Sequence, residues 1–335
     1  MTSRSRKTSP RKILWITDPW ETLDHPRDTT LRLAEECLKL GLRPYWCDVR
    51  SIRLYGRQPQ LDAQEILAIA PERSRKSFQL GPLKNCSPTE FQSLHYRTDP
   101  PVNEAYLHPL LILALALRAP KAPELVNPLS ILLSSNEKME GAALEQGSQS
   151  KMTPPGLVSS QWEALEAFGK SEGRTVLKPL HEAQSHGVEL LDWRNTDAIQ
   201  NSKSLLTRAT QGFTLPVLLQ KYLPGISEGE TRLWFVDGKF LAAVQKFPLT
   251  GDFRINMDRG SELKTARLSS RERSIATKIG THLKKRQIRL AAVDLIEGMV
   301  TDFNFTSPGL IPQMESVLGE NLARIVVKAL QVRKI

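Results

Sequence analysis

Residues 291–308 (AAVDLIEGMVTDFNFTSP) constrain the fold of this chain most, because oxygen-bearing side chains interrupt two apolar runs. The runs 291–296 and 299–305 have the composition of strands, and they flank Glu297-Gly298. An acidic residue followed by Gly suits the tight turn of a β-hairpin. The sequence therefore predicts a hairpin in which unpaired charge would be costly.

Three polar side chains of this hairpin are expected to converge. Asp302 and Asn304 are two residues apart, so on a strand both leave the same face. Asp294 lies on the neighbouring strand, within reach across the hairpin. Two carboxylates and an amide oxygen form a hard site of the kind that Mg²⁺ takes when it also holds phosphates. The alternative is a solvated acidic hairpin, which an isolated D-x7-D-x-N would favour; the apolar surroundings favour the metal site.

Length and charge set the class of protein. The 335 residues exceed the usual limit of a single core, so two or three domains are expected. Hydrophobic residues make up 40% and charged residues 24%, which is ordinary for a globular protein. The net charge of +10 favours anionic partners such as nucleotides, phosphates, nucleic acid or acidic peptides, without choosing among them.

The first residues and the cysteines bear on location. Residues 1–12 carry five basic residues and no acidic one, and we interpret residues 1–11 as a disordered tail rather than a signal or transit peptide. The longest apolar run, 110–117, falls short of the ~20 residues that a membrane-spanning helix needs. The three cysteines show no metal or redox spacing, as in a reducing cytoplasm. We expect a soluble, cytoplasmic protein without a membrane partner.

The N-terminal part has the pattern of a βαβ unit. An apolar strand at 12–17 is followed by a helix capped near Asp28 and stopped by Gly41, and then by a strand at 44–49. This order predicts an open parallel sheet. Residues 51–85 are polar and irregular, and fit an excursion or a hairpin.

Ligands of such sheets bind beyond the carboxyl ends of the strands, where Asp18, Arg97 and Asp99 are expected. Asp18 is more often a turn residue than a ligand. The prolines after Asp99 fix a stiff turn, and Arg97 there fits a clamp for a carboxylate. A structural pair between Arg97 and Asp99 fits equally well.

The second half contains cations embedded in apolar strands. Lys178 lies in the strand 174–180, where an ammonium group must reach solvent or meet an anion. Pairing it with Lys138 suggests two ammonium groups over one polyanion. A hairpin with its turn at Asp237-Gly238 leads to Lys246 and to a polar loop at 250–261, which fits either a closing loop or an exposed connection.

The order of several motifs resembles a known family. The segments RTDPP, NEK, VLKPL, LLQKYLP, E-x-E-T-R, VDGK and DLIEGMVTDFNFTSP follow one another as in the bacterial glutathione synthetases of the ATP-grasp superfamily, from residue 12 to about 330. The resemblance implies an α/β chain of α+β lobes, an ATP-grasp fold preceded by a Rossmann-like pre-ATP-grasp domain. The implied limits are 12–127 for the N-terminal substrate domain and 128–335 for the ATP-grasp domain, with a lid subdomain at about 135–215.

The resemblance also implies roles for individual residues. Two lysines would contact the nucleotide phosphates, a carboxylate would accept the ribose hydroxyls, and a short strand would face adenine with its main chain. The metal would be Mg²⁺, or Mn²⁺, bound together with ATP. The implied residues are Lys138 and Lys178 for the phosphates, Glu230 for the ribose, Gln220, Lys221, Tyr222 and Leu223 for adenine, and Asp294, Asp302 and Asn304 for the metal.

In that family ATP phosphorylates the carboxylate of γ-glutamylcysteine, and the amine of glycine attacks the acyl phosphate. Catalysis is mainly positioning and charge neutralisation. Arg232, Lys246, Arg254 and Asn256 lie where the family places contacts to the acyl phosphate and the peptide, and Asp18, Arg97 and Asp99 are the candidates for substrate binding. A homo-oligomer, a tetramer by resemblance, is implied. Nucleic acid ranks low as a partner, because no interleaved aromatic pattern accompanies the charge.

The chain departs from the family pattern at several positions. A Gly-rich loop after the strand lysine is replaced by residues 181–187 (HEAQSHG), with one Gly and an added carboxylate, Glu182. Lys246 stands where Arg is usual, Asp302 replaces Glu, and Pro312 replaces Arg. Two alternatives therefore stay open beside glutathione synthesis: a ligase for another acid and amine, and a catalytically weak nucleotide-binding protein.

Overall fold

The structure, a computed structural model, describes residues 11–70, 77–147, 150–255, 257 and 260–331. The strands are β1 (Lys12–Thr17), β2 (Arg43–Asp48), β3 (Arg53–Tyr55), β4 (Gln58–Ile69), β5 (Phe78–Leu80), β6 (Lys84–Cys86), β7 (Ser93–Tyr96), β8 (Glu124–Val126), β9 (Gly156–Ser159), β10 (Arg174–Pro179), β11 (Glu189–Asp192), β12 (Val217–Lys221), β13 (Glu230–Val236), β14 (Lys239–Phe247), β15 (Glu262–Thr265), β16 (Leu290–Ile296) and β17 (Met299–Asn304). The helices are α1 (Thr29–Lys39), α2 (Glu104–Ala116), α3 (Leu129–Ser134), α4 (Glu140–Glu145), α5 (Trp162–Glu172), α6 (Thr196–Ala209), α7 (Ser270–Lys285), α8 (Ile311–Leu318) and α9 (Leu322–Gln331). The predicted tail at 1–11 lies outside the described residues except for Arg11.

The chain forms two compact units. The first contains the described residues of Met1–Asp99, Glu104–Leu133 and Gly309–Ile335, and the second contains those of Pro100–Asn103 and Ser134–Pro308. This division differs from the predicted limits 12–127 and 128–335 at the C-terminal end, which clusters with the first unit. No helix in the described part of the chain is both long enough and apolar enough to cross a membrane.

The first unit is built on an eight-stranded sheet. Its order is β3-β4-β2-β1-β7-β8, and β5 and β6 both pair with β4. The strands β2, β1, β7 and β8 run parallel, which confirms the predicted parallel sheet at its centre. The remaining pairings are antiparallel. Of the two expectations for residues 51–85, the hairpin is confirmed, because β3 and β4 pair antiparallel from Tyr55 and Gln58 outward. The segment is less irregular than expected, since β4 also pairs with β2, β5 and β6.

The predicted βαβ unit forms as β1, α1 and β2. Asp28 caps α1 by accepting a hydrogen bond from the main-chain N–H of Leu31 at 2.8 Å. Gly41, with φ of 73°, follows the helix in the left-handed region that favours glycine. Leu14 and Ile16 of β1 are fully buried, so the apolar run of this strand lies in the core.

A buried arginine explains why the C-terminal helices belong to the first unit. Arg32 on α1 donates from Nε to Glu315 of α8 at 2.7 Å and from Nη1 to Glu36 at 3.2 Å. Its Nη2 donates to Asn321, just before α9, at 3.0 Å. A buried guanidinium needs such partners. The sequence gives no local sign of this long-range pairing, whereas the family resemblance implied that residues 309–335 belong with the ATP-grasp domain.

The second unit contains two antiparallel sheets. The smaller has four strands in the order β11-β10-β12-β9 and packs against α5 and α6. Its core consists of Leu165, Leu177, Leu191, Trp193, Leu206, Val217 and Leu219. The larger has five strands in the order β15-β14-β13-β16-β17. The predicted hairpins at Asp237-Gly238 and Glu297-Gly298 both form, and all four of these residues have positive φ.

Each long hairpin of the larger sheet contains an irregularity in its register. In the β13–β14 pair, Trp234 lies opposite Ala242 while Phe235 lies opposite Phe240, which leaves Leu241 as an extra residue. In the β16–β17 pair, Asp294 lies opposite Asp302 while Leu295 lies opposite Val300, which leaves Thr301 as the extra one. Such bulges change which side chains share a face of the sheet.

Helix α4 is tied to α7 through a buried carboxylate. Glu140 accepts hydrogen bonds from Nε2 of His282 at 2.7 Å and from Nε of Arg286 at 3.0 Å. Burial by itself would raise the pKa of Glu140, but the bonds from His282 and Arg286 outweigh it and hold the pKa below its ordinary value. The helix begins at Glu140 itself.

Gly169 on α5 offers a test of packing in the smaller sheet. A Cβ at this position would lie 2.1 Å from the ring of Trp193, which is buried and whose Nε1 donates to Thr175 at 2.9 Å. We expect Gly169→Ala to lower the free energy of unfolding by about 2 kcal/mol, because the fixed ring cannot move aside. Urea unfolding measures the change. Gly309→Ala is the control, since no atom lies within 4 Å of its added Cβ; an equal loss in both variants would contradict the packing argument.

The carboxylate of Glu140 predicts part of the acid sensitivity. Its pKa is depressed in the folded state, so its contribution to stability is present above the ordinary value of 4.5 and is lost as the pH falls below it. We expect Glu140→Gln to be less stable at pH 7 and to lose less stability between pH 5 and pH 3 than the parent protein. Thermal unfolding across this range measures both. Glu163→Gln, an exposed change on α5, should reproduce the parent profile.

Candidate functional site

A polar pocket in the second unit collects most of the predicted residues. Its walls come from both sheets of that unit and from residues 182–188. The charged and amide side chains that line it include Lys138, Lys178, Gln220, Glu230, Arg232, Lys246, Arg254, Asp294, Asp302 and Asn304. Alternating anions and cations in a partly buried pocket are a mark of a functional site.

The three predicted metal ligands lie together on β16 and β17. Asp294 is directly opposite Asp302 in the register, and Nδ2 of Asn304 donates to Oδ2 of Asp294 at 3.2 Å. The side chain of Asp302 is 23% exposed, whereas that of Asp294 is 5% exposed. The predicted convergence is therefore confirmed as geometry, and its role as a metal site stays a prediction.

Asp294 is enclosed by two cations. Nε and Nη2 of Arg232 donate to its two oxygens at 2.8 Å and 2.6 Å, and Nζ of Lys246 lies 3.1 Å from Oδ1. Burial alone would raise the pKa of Asp294, but Arg232 and Lys246 outweigh it and hold the pKa well below its usual range. Burial likewise opposes the charge of Arg232, yet the Asp294 carboxylate raises the pKa of this guanidinium. Asp294 is an anion at any physiological pH.

Lys138 pairs with the other carboxylate. Its Nζ donates to Oδ2 of Asp302 at 3.1 Å and to Oδ1 at 3.3 Å. Burial would lower the pKa of Lys138, but the carboxylates of Asp302 and Glu137 raise it above the ordinary value. This ammonium group is therefore charged, and it is held over the edge of β17.

Lys178 is held by neutral oxygens. Its Nζ donates to Oε1 of Gln220 at 2.9 Å and to the carbonyl of Thr301, the extra residue of the β17 bulge, at 2.8 Å. Burial lowers the pKa of Lys178, and the nearby charge of Lys138 lowers it further against the pull of Asp302. An anion between the two lysines would relieve both effects.

Glu230 is paired with Lys246, its cross-strand neighbour on β14. Burial and the charge of Asp294 raise the pKa of Glu230, against the opposite effect of Lys246. Lys246 is buried, and its ammonium group bridges the carboxylates of Glu230 and Asp294. The predicted role of Glu230 toward a ribose stays a prediction.

The other predicted contacts also belong to this pocket, as far as they are described. Residues Gln220–Leu223 line the pocket, and the guanidinium of Arg174 stacks on the ring of Tyr222 at 4.5 Å. Arg254 also lines it and donates to Asp252 from Nε at 3.2 Å. Asn256 lies outside the described residues.

Residues 181–187 form a turn at the mouth of the pocket. Gln184 and Ser185 have φ of 52° and 62°, in the left-handed region, and Gly187 has 67°. Non-glycine residues adopt this conformation at a cost. The hydroxyl of Ser185 donates to the carbonyl of Ile255 at 3.2 Å, which links this turn to the loop at 250–261. Gln184 and Ser185 thus have backbone conformations that glycine adopts more readily.

The three candidates for substrate binding belong to the first unit. They lie at the carboxyl ends of the adjacent parallel strands β1 and β7, as predicted. Oδ2 of Asp18 accepts from the main-chain N–H of Asp99 at 2.8 Å, and Nε of Arg97 donates to Oγ1 of Thr30 at 2.8 Å. Burial raises the pKa of Asp18 and lowers that of Arg97. They form a cluster of their own, and their role toward a substrate stays a prediction.

The donor set on β16 and β17 fits a hard cation in its chemistry. Among the described residues there is no cluster of three or more His, Cys, Asp and Glu side chains that could hold a metal ion. Two carboxylates and an amide oxygen instead match Mg²⁺, which keeps waters and binds through few protein ligands together with phosphates. Asp302 and Asn304 would hold the ion. Asp294 would bind it only if the carboxylate released Arg232 and Lys246.

Sequence reasoning missed the partners of the carboxylates. The pairing of Arg232 with Asp294 follows from their positions opposite each other on β13 and β16, which are distant in sequence. Counting back from the turn at Asp237-Gly238 would place Gln245 opposite Glu230, and the bulge is what puts Lys246 there. No pattern in a single sequence locates such a bulge.

Comparison with known proteins identifies the family of the chain. Residues 12–131 match the N-terminal domain of prokaryotic glutathione synthetase, and residues 142–319 match its ATP-grasp domain. The chain belongs to the prokaryotic glutathione synthetase family. Two glutathione synthetases of this family show the degree of sequence identity. The one from Parasynechococcus marenigrum (strain WH8102) is 30% identical over 318 residues, and the one from Prochlorococcus marinus (strain MIT 9313) is 29% identical over 319 residues; each comparison covers 95% of this chain and 98% of the relative.

Solved structures of other ligases share the fold of the family. The crystal structure of a D-cycloserine synthetase aligns with a TM-score of 0.65 at 18% identity, covering 95% of this chain and 98% of that one. A macrocyclase from Microcystis aeruginosa MRC, solved with its precursor peptide, aligns with a TM-score of 0.64 at 15% identity, covering 96% and 100%. The ATP-grasp fold, preceded by the N-terminal domain of the family, is thus confirmed.

Proposed function

We propose that this chain is an ATP- and Mg²⁺-dependent ligase that joins γ-glutamylcysteine to glycine through an acyl phosphate. Full-length membership in the prokaryotic glutathione synthetase family supports this activity. The observation that carries the proposal is the pocket of the second unit. It brings Lys138, Lys178 and Arg232 together with Asp294 and Asp302 in one place.

The charged side chains of this pocket form ion pairs in which a bound ligand could replace one partner of each pair. Lys138 is paired with Asp302, and Arg232 and Lys246 are paired with Asp294. Phosphate oxygens would pair with the lysine and arginine side chains, and a divalent cation would bind the carboxylates. Because every buried charge then keeps an opposite partner, the desolvation cost of the site stays compensated.

Individual residues have the following proposed roles. Lys138 and Lys178 hold the nucleotide phosphates, and the main chain of residues 220–223 and the carboxylate of Glu230 hold the adenosine. Arg232, Lys246 and Arg254, together with Asn256, neutralise and orient the acyl phosphate. A bound Mg²⁺, with Mn²⁺ as a substitute, supplies charge stabilisation to the phosphates. Asp18, Arg97 and Asp99 bind the substrate peptide. We further propose a tetramer acting in the cytoplasm.

The turn at 181–187 favours one alternative, a ligase of the same fold with another acid and amine. Gln184, Ser185 and His186 present side chains to the pocket where the resembling family has glycines. Side chains there restrict the approach of backbone N–H groups to phosphate, which also favours the weaker alternative of a nucleotide-binding protein with little turnover.

Replacing one of these side chains tests the effect of the turn. We expect Gln184→Gly to stabilise the protein by about 0.5 kcal/mol, because glycine adopts positive φ freely, and to tighten Mg-ATP binding about fivefold through closer backbone approach. Calorimetry measures the affinity and urea unfolding the stability. Gln211→Gly is a matched control, since Gln211 has φ of 50° and lies outside this pocket. It should stabilise the protein without changing the affinity; an equal gain in affinity would contradict the argument.

The activity itself is tested by ADP release with Mg-ATP, γ-glutamylcysteine and glycine. We expect turnover only when both substrates are present. Asp302→Ala should lower the rate about 100-fold or more, because it removes a proposed metal ligand and the partner of Lys138. Asp302→Glu, which restores the usual residue of the family, should retain most of the rate.

The outcomes separate the alternatives. Turnover with another acid or amine in place of these substrates would move the assignment to a different ligase. Binding of Mg-ATP without turnover under any pair of substrates would refute both ligase assignments. Equal rates for the parent protein and Asp302→Ala would refute the proposed metal site.

A further inference from the structure

Residues Asn136, Glu137 and Lys138 form a tripeptide between the two matched family regions, which end at residue 131 and begin at residue 142. All three are in the second unit, immediately before α4. Only Lys138 has a proposed contact with a ligand. The side chains of the other two nevertheless make well-defined contacts with the elements that build the pocket.

Asn136 connects the tripeptide to the strand of Lys178. Its Nδ2 donates to the carbonyl of Leu180, one residue beyond β10, at 2.7 Å. Its Oδ1 accepts from the main-chain N–H of Lys138 at 3.0 Å. A single amide side chain thus fixes the backbone of one lysine relative to the strand that carries the other.

Glu137 connects the tripeptide to the proposed metal strand. One oxygen of its carboxylate, Oε1, accepts from the main-chain N–H of Thr306 at 2.8 Å and from its hydroxyl at 3.0 Å. The same oxygen accepts from the N–H of Phe305, the residue that follows Asn304 at the end of β17. Glu137 is buried, and burial raises its pKa while Lys138 and these donors oppose the rise.

Lys138 completes the set by reaching Asp302 on β17. Three consecutive side chains therefore contact the end of β10, the end of β17 and the middle of β17. Glu137 accepts from the backbone N–H groups of both Phe305 and Thr306, and buried backbone donors are costly to separate from an acceptor.

We propose that Asn136 and Glu137 are positioning residues that set the ammonium group of Lys138 against β10 and β17. This inference rests on the proposed function, because it treats Lys138 as a ligand of the nucleotide phosphates. Asn136 fixes the spacing between Lys138 and Lys178, and Glu137 fixes the spacing between Lys138 and the proposed metal ligands. A 1 Å displacement in such a site is enough to lower function severely.

The design of the variants uses the fact that Glu137 accepts all three bonds with one oxygen. Glu137→Gln can keep that acceptor, whereas Glu137→Ala removes it. We expect Glu137→Ala to weaken Mg-ATP binding at least about tenfold in calorimetry, because it removes the acceptor that ties the segment of Lys138 to Phe305 and Thr306. Glu137→Gln should stay within about threefold of the parent protein, since the hydrogen bonds survive without the charge.

A second measurement needs no nucleotide. Hydrogen exchange of the Phe305 and Thr306 amides should accelerate about tenfold in Glu137→Ala and remain near the parent rate in Glu137→Gln. Asn136→Ala provides a milder variant in case Glu137→Ala fails to fold. It should weaken Mg-ATP binding about fivefold without accelerating exchange at Phe305 and Thr306, because its contact is with Leu180.

Glu140→Ala is the control for a loss of stability alone. Glu140 is also buried and only three residues away, but its partners are His282 on α7 and Arg286, which directly follows α7. We expect this variant to unfold at a lower temperature while it keeps its affinity for Mg-ATP.

The results decide the inference without reference to the substrates. Weakened binding in Glu137→Ala and Asn136→Ala, restored in Glu137→Gln and absent in Glu140→Ala, supports it. Parent-like affinity in folded Glu137→Ala or Asn136→Ala would overturn it, and so would an equal loss in Glu140→Ala. Failure of the parent protein to ligate γ-glutamylcysteine and glycine would refute the proposed function while leaving these binding measurements valid, whereas a parent that binds no Mg-ATP would refute both.

Discussion

The buried carboxylate of Asp294 is the constraint on which the pocket of the second unit depends. An anion with a 5% exposed side chain is tolerated only with close counter-charges, and Arg232 and Lys246 supply them from two neighbouring strands. Lys246 in turn reaches Glu230, so the charges extend across the sheet as a network. Removing one member would leave the others buried without compensation, which explains why so many charged residues are held at fixed positions.

A second, smaller set of charges faces this network. Lys138 and Lys178 come from elements beside β17, and each is fixed by oxygens of that strand, one from the side chain of Asp302 and one from the main chain of Thr301. The strand that offers the proposed metal ligands thus also orients the proposed phosphate ligands. In physical terms the site is organised around β17, and side chains of residues 182–186 line the same pocket.

Much of the fold was predictable because its signals are local. The apolar run of β1, the cap of α1 at Asp28 and the two hairpin turns were identified from neighbouring residues, and each forms as expected. The features that the sequence did not reveal are non-local contacts. The strands β2, β5 and β6 pair with β4, and α8 is tied to α1 through Arg32, far away in sequence.

The site shows the same division. The sequence by itself determined which oxygens and ammonium groups are available, and the period of two along a strand determined that Asp302 and Asn304 share a face. The sequence could not determine the registers of the β13–β14 and β16–β17 hairpins. In a regular hairpin without a bulge, the turn at Glu297-Gly298 would place Asp294 opposite Thr301 and turn Asp302 to the other face. In a regular hairpin from the turn at Asp237-Gly238, Gln245 would lie opposite Glu230, and Lys246 would face away from it. Only the tertiary structure decided these two bulges, because a bulge is fixed by packing and pairing with neighbouring strands rather than by the residues of its own hairpin.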